Sequence, residues 1–141
     1  MKFEHTATFM LSKISIAHRN LLERAMKEVG LHSGQTFTLL ELWREDGQRQ
    51  TDLAENMQVS APTINKILVG LLEIGLVTRS RIDGDLRSTR IFLTDEGKAI
   101  RASVETQWIE LETHVLARLT ETESLILRQL LQKLLGQTED E

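Results

Sequence analysis

Four arginines, Arg79, Arg81, Arg87 and Arg90, fall within one short stretch and are the densest chemistry in the chain. A guanidinium is a permanent cation with five N–H donors in a flat fork. It therefore grips phosphate or carboxylate oxygens and does not serve as a base. Nucleophilic chemistry has little to draw on, because there is no cysteine or tyrosine, and the histidines at 5, 18, 32 and 114 share no helical turn. Lack of cysteine also removes disulfides, thiolate zinc sites and thiol redox sensing. No Ser/His/Asp set or paired-acid motif stands out. The residues predict no enzyme, no cofactor and no metal site.

The net charge of −4 hides an asymmetry. Residues 60–94 carry Lys66 and the four arginines against Glu73, Asp83 and Asp85, so this stretch is basic and the remainder acidic. A nucleic-acid backbone responds to that local field rather than to the average. Immediately upstream, Ser60-Ala61-Pro62-Thr63-Ile64-Asn65-Lys66 reads as a helix start, with Ser60 as N-cap and Pro62 tolerated in the first turn. Ile64, Ile67, Leu68, Leu71 and Leu72 give this helix its buried face, which leaves Ala61, Pro62, Thr63, Asn65 and Lys66 outward. Asn65 can pair bidentately with adenine, Thr63 can meet a thymine methyl or a phosphate, and Lys66 suits a phosphate. Two plainer readings stay open. The helix could be an ordinary amphipathic one, and the arginines could guard an edge strand against aggregation.

The elements that must position these groups follow from periodicity. Met10, Ile14, Ala17, Leu21 and Ala25 form a helical stripe between Phe9 and Val29, ended by Gly30. A second helix starts near Ser33, the expected N-cap, and stops before the Asp46-Gly47 turn. Thr51 to Met57 and 61–74 make a helix pair, with Gly75 as the C′ residue and Leu76 as its apolar partner. The period then changes to two from Leu76 to Ile82. Asp83-Gly84 marks a hairpin, and 87–93 return as the second strand. Thr94 caps a long helix expected to reach Leu119, and Thr120 opens a last helix that is apolar nearly all round. One small domain cannot cover that helix and the stripe at 10–25, so a second copy of the chain is expected to do so. The fold expected is mostly α with a small β-hairpin wing: a winged helix-turn-helix core plus long dimerisation helices.

These residues carry a resemblance. Leu31-x3-Gln35-x3-Leu39, Asp52-Leu53-Ala54-Glu55, Val59-Ser60 with Thr63, Leu72-x2-Gly75-Leu76-Val77, Asp85-x-Arg87 and Leu93-Thr94-x2-Gly97 together resemble the MarR family of winged-helix transcriptional regulators over nearly the whole length. The last three motifs are the specific ones. The resemblance implies a homodimer clasped by its first and last two helices, bound to a pseudo-palindromic operator on double-stranded DNA. It usually acts as a repressor that a small-molecule effector releases. It also implies that Arg87 enters the minor groove near the wing tip, with Asp85 fixing arginine geometry and Arg79, Arg81 and Arg90 clamping the backbone. The sequence departs from the family at His32, where many relatives have a polar residue that closes a capping box with the glutamine, and at Val69-Gly70.

Relatives that answer to aromatic acids place a cation or histidine of the first helix over a cleft. Here Lys13, His18 and Arg19 would supply the charge, with Phe37 and Trp43 as walls. Lys13 and His18 lie about 140° apart around a helix, and both rings also read as core. The expected organisation is a single domain over 1–141, with a DNA-binding lobe at 31–94 and dimerisation helices at 1–30 and 95–136. No segment reads as a membrane span or signal peptide, so the expected location is cytoplasmic. The alternative is a helical dimer that keeps the winged fold but binds protein or ligand instead of an operator.

Overall fold

The computed structural model describes residues 1–81 and 88–139. Asp83, Gly84, Asp85 and Arg87 therefore lie outside the described residues. The chain forms two compact units, Met1–Trp108 and Ile109–Glu141. No described helix is long and apolar enough to cross a membrane.

The first unit opens with a 3-10 turn at Phe3–His5, then helices α1 (Ala7–Lys27) and α2 (Ser33–Arg44). A two-residue strand, β1 (Gln48–Arg49), leads into α3 (Gln50–Asn56) and α4 (Ala61–Glu73). Strands β2 (Val77–Ser80) and β3 (Arg90–Leu93) follow, then α5 (Asp95–Ala99) and the start of α6 (Arg101–Val115). The core gathers Leu39, Leu42, Leu53, Ile64, Leu68, Leu71 and Ile91, all essentially without solvent access. On α2 and α4 the leucines and isoleucine recur at helical spacing, α3 adds Leu53, and Ile91 comes from β3. Each helix therefore turns one stripe inward and leaves its polar side out.

Four local features differ from the sequence expectation. First, the sheet has three strands in the order β1-β3-β2, with Gln48 opposite Ile91 and Val77 opposite Leu93. Two residues are too few for alternation to register in a sequence, so β1 went unforeseen. Second, the N-cap of α2 is His32, whose N–H donates to Gln35 Oε1 at 2.9 Å. Ser33 is instead the first helical residue, and its N–H and hydroxyl both donate to Glu23 of α1. A carboxylate at a helix N-terminus completes orphan donors and favours the dipole. Third, Ile100 separates α5 from α6, although its N–H still donates to Glu96 and its carbonyl accepts from Val104. Fourth, α6 ends at Val115 rather than Leu119, in a tightened turn where Ala117 donates to His114 and Leu119 to Leu116.

The second unit holds the end of α6 and helix α7 (Glu121–Glu139). A reciprocal capping box starts α7: Glu123 N–H donates to Thr120 Oγ1 at 3.2 Å, and Thr120 N–H to Glu123 Oε1 at 2.9 Å. Leu125, Ile126, Leu130, Leu131, Leu134 and Leu135 all face solvent, and Leu130 is 52% exposed.

Candidate nucleic-acid interface

α3 and α4 meet through a turn at Gln58, held at φ 55° so that Val59 N–H reaches back to Ala54 O. A non-glycine residue in that region costs on the order of 1 kcal/mol, and the turn it permits sets the angle between the two helices. Ser60 then caps α4. Its Oγ accepts from Thr63 N–H at 3.3 Å and donates to Thr63 Oγ1 at 2.9 Å. Ile64, Leu68 and Leu71 anchor the helix from below. Ser60, Ala61, Pro62, Thr63, Asn65 and Lys66 are all exposed on its first two turns. Thus α4 offers a hydroxyl, a carboxamide and an ammonium group in one exposed row.

Gly70 has a packing reason. A Cβ there would stand 2.7 Å from Gln35 Nε2, the amide whose oxygen caps α2. The glycine at this departure from the family thus leaves room for the Gln35 amide, which would have to shift for any larger residue.

Beyond α4, Gly75 takes φ +76° and closes a C-terminal motif in which Leu76 N–H donates to Leu71 O. Register then decides where each arginine points. Arg79 pairs with Ile91, and Ser80 with Arg90. Cross-strand partners share a face, so Arg79 lies on the same face as buried Ile91 and Thr89. Its Nε and Nη2 are buried without a hydrogen-bond partner among the described residues, as is Thr89 Oγ1. Arg81 is exposed. Arg90 is half-buried, and its Nη1 donates to Gly47 O at 2.9 Å, tying β3 to the turn after α2. Arg87 lies outside the described residues. Of the four arginines, Arg81 is the one displayed openly among the described residues, while Arg79 and Arg90 are partly engaged with the lobe itself.

The residues suggested for an effector are spread out. Lys13 Nζ stands 5.6 Å from the ring of Phe9, one turn earlier on α1, and Arg19 is exposed while His18 is half-buried. Phe37 meets Trp108 edge to face at 6.2 Å. Trp43 donates from Nε1 to Gly97 O at 2.9 Å, and Arg101 lies over its ring at 5.9 Å. Phe37 and Trp43 therefore leave α2 in different directions and do not form a shared wall.

Gln48 is a residue that sequence reasoning missed. Buried in β1, it donates to the carbonyls of Glu41 and Glu45, both at 2.9 Å, and accepts from Asn56 Nδ2 at 3.0 Å. It satisfies the end of α2 and ties that end to α3. The neighbouring Glu41 carboxyl is held below its ordinary pKa by the Arg44 guanidinium first, and by the Gln48 amide. A glutamine that follows a turn gives no sequence signal for this work.

Residues 31–89 match the MarR family. The chain is 30% identical over 125 residues to the HTH-type transcriptional regulator PecS of Dickeya dadantii, covering 86% of this chain and 75% of that protein. It is 26% identical over 126 residues to the HTH-type transcriptional repressor Rv2887 of Mycobacterium tuberculosis, covering 89% and 91%. Among solved structures, that of MarR superposes with a TM-score of 0.84 at 26% identity, covering 94% of this chain and 96% of the other. Rv2887 in complex with salicylic acid gives 0.75 at 25% identity, covering 95% and 99%. The DNA complex of Rv2887 gives 0.79 at 24% identity, covering 92% and 97%, a likeness of fold. The helix-turn-helix, the three-stranded wing sheet and these likenesses converge: the chain belongs to the MarR family, whose members are DNA-binding transcriptional regulators rather than enzymes.

Proposed function

We propose that this protein is a sequence-specific repressor that binds a pseudo-palindromic operator as a homodimer and is released by a small-molecule effector, acting in the cytoplasm where its DNA lies. The observation that carries the reading is the exposed row Ser60, Ala61, Pro62, Thr63, Asn65 and Lys66 on the capped first turns of α4. In this reading α4 enters the major groove by its N-terminal end, and residues 31–94 form the reading lobe. Arg87 reaches the minor groove, and Arg81 contacts phosphate together with the accessible parts of Arg79 and Arg90.

Residues 1–30 and 95–136 form the dimerisation region. Support comes from the apolar side chains that α1 and α7 each leave in water: Met10, Leu11, Ile14 and Ile16 on one, and Leu125, Leu130, Leu134 and Leu135 on the other. Patches of this kind on a stable protein mark a partner surface. The effector proposed is a small aromatic acid, because the similar protein Rv2887 crystallises with salicylic acid. Its charge would meet Lys13, His18 or Arg19. Phe37, 44% exposed, is the better ring, since the indole N–H of Trp43 is already committed.

Fluorescence anisotropy on a duplex from just upstream of the chain's own gene, against a scrambled duplex of equal length, tests the reading at two salt concentrations. Specific binding is expected to exceed non-specific binding by about 10³ or more. Absence of binding to either duplex at low salt would favour an interaction protein that has kept the winged fold.

A further inference from the structure

Among the described residues Arg49 has no side-chain hydrogen bond or ion pair, yet it stands opposite another cation. The register sets Arg49 of β1 directly opposite Arg90 of β3, and Ser80 of β2 opposite Arg90 on the other side. Arg49, Arg90 and Ser80 thus form one row across the sheet, on the face opposite buried Ile91. Like charges placed directly across a ladder repel. Neither arginine has a carboxylate within 4.0 Å among the described residues. Asp46, the nearby acid in the turn before β1, already accepts from the N–H groups of Gly47 and Leu93.

Both guanidiniums are mounted on fixed backbone. Arg90 is steadied by its bond to Gly47 O, and Gln50 N–H donates to Thr89 O at 2.9 Å, so the residues just after Arg49 and just before Arg90 are joined. Arg49 itself is exposed and immediately precedes α3, the helix that leads into α4. In helix-turn-helix proteins that leading helix crosses the sugar–phosphate backbone while its successor enters the groove.

We propose that Arg49, with Arg90 behind it, is a second phosphate clamp of the reading lobe, gripping the DNA backbone between the start of α3 and the base of the wing. The proposal rests on the DNA-binding reading above. It adds a contact that reads no base and works through charge. In the complex the phosphate would neutralise an arginine pair that no carboxylate answers among the described residues.

The test is Arg49→Ala and Arg49→Glu in the full-length chain, titrated by anisotropy on the upstream duplex and the scrambled duplex across a salt series. Thermal unfolding of the free protein is measured in parallel. Arg49→Ala should weaken binding to both duplexes by the same factor and make the slope of log K against log salt shallower, by about 0.9 for each Arg49 that touches a phosphate. Arg49→Glu should weaken binding further. The melting temperature of each variant should stay level or rise, because the repulsion across the ladder is relieved. Unchanged affinity and slope in Arg49→Ala, with wild type binding normally, would overturn the clamp and leave the repressor reading intact. A loss confined to the upstream duplex would overturn it too, since that is base reading. A wild-type chain that binds neither duplex at low salt would overturn both.

Discussion

At the scale of single residues, two positions are constrained in ways that a sequence does not reveal. Gly97 closes the motif Leu93-Thr94-x2-Gly97, and its reason is steric: a Cβ there would overlap the Leu76 carbonyl oxygen and press Leu93 Cδ2 at 3.3 Å. Leu76 O also accepts from Thr94 N–H, and Gly97 O from Trp43 Nε1, so neither the Leu76 carbonyl nor the Gly97 backbone can retreat easily. Gly97→Ala should therefore destabilise the fold by about 3 kcal/mol, well beyond the ~1 kcal/mol that alanine returns in helix propensity. Urea unfolding decides it, and a neutral result would mean that α5 slides. Arg79 is the converse case. Its Nε and Nη2 are buried without an acceptor among the described residues, which costs about 1–3 kcal/mol. Arg79→Met keeps the bulk and removes the unmet donors, so the free protein should gain about 1 kcal/mol by the same measurement. A loss would reveal an acceptor for that edge. The register of Arg79 turns Nε and Nη2 inward, so the phosphate contact proposed for Arg79 falls to the accessible part of its side chain, and alternation alone leaves open which face of a wing strand is covered.

At the scale of elements, most of the helices were legible because each begins and ends with a physical signal. Ser60, Thr94 and Thr120 cap as their types require, and Gly30, Gly47 and Gly75 take positive φ where the chain must turn. The misses share a cause, which is non-local pairing. β1 exists only because Gln48 and Arg49 find Ile91 and Arg90, and the N-terminus of α2 is completed by Glu23 from another helix. That last contact has a pH signature. Hydrogen bonds from the Ser33 hydroxyl, then from its N–H, hold the Glu23 carboxyl below its ordinary pKa, with His32 assisting. A carboxyl depressed in the folded state stabilises above its unfolded pKa, and the benefit disappears as pH falls through the folded value. Glu23→Gln should thus melt below wild type at neutral pH, and the gap should close in the acid range beneath the usual glutamate pKa. A gap that is constant from neutral to strongly acid pH would remove the carboxylate from the cap.

At the scale of the whole molecule, exposed apolar surface argues for partnership. Leu130 is 52% exposed and Leu135 61%, on a helix that leaves Leu125, Ile126, Leu131 and Leu134 in water as well. In the proposed homodimer these side chains are covered, so Leu130→Glu would bury a charge and shift the species in sedimentation velocity toward monomer. An undisturbed dimer would place the interface elsewhere. The family and fold were legible from the sequence because the reading helix, the glycine turn and the basic strands occur in order. How Lys13, His18, Phe37 and Trp43 stand relative to one another was not, because packing alone brings such residues near or keeps them apart. Two reading helices related by a two-fold axis must meet equivalent grooves about one helical turn apart. Hydroxyl-radical footprinting of the upstream duplex with the full-length chain tests this most directly. A dimeric repressor on a pseudo-palindromic operator gives two symmetric protected patches with centres about 10 base pairs apart. A single patch, or protection spread evenly along the duplex, would contradict a dimeric operator-binding repressor.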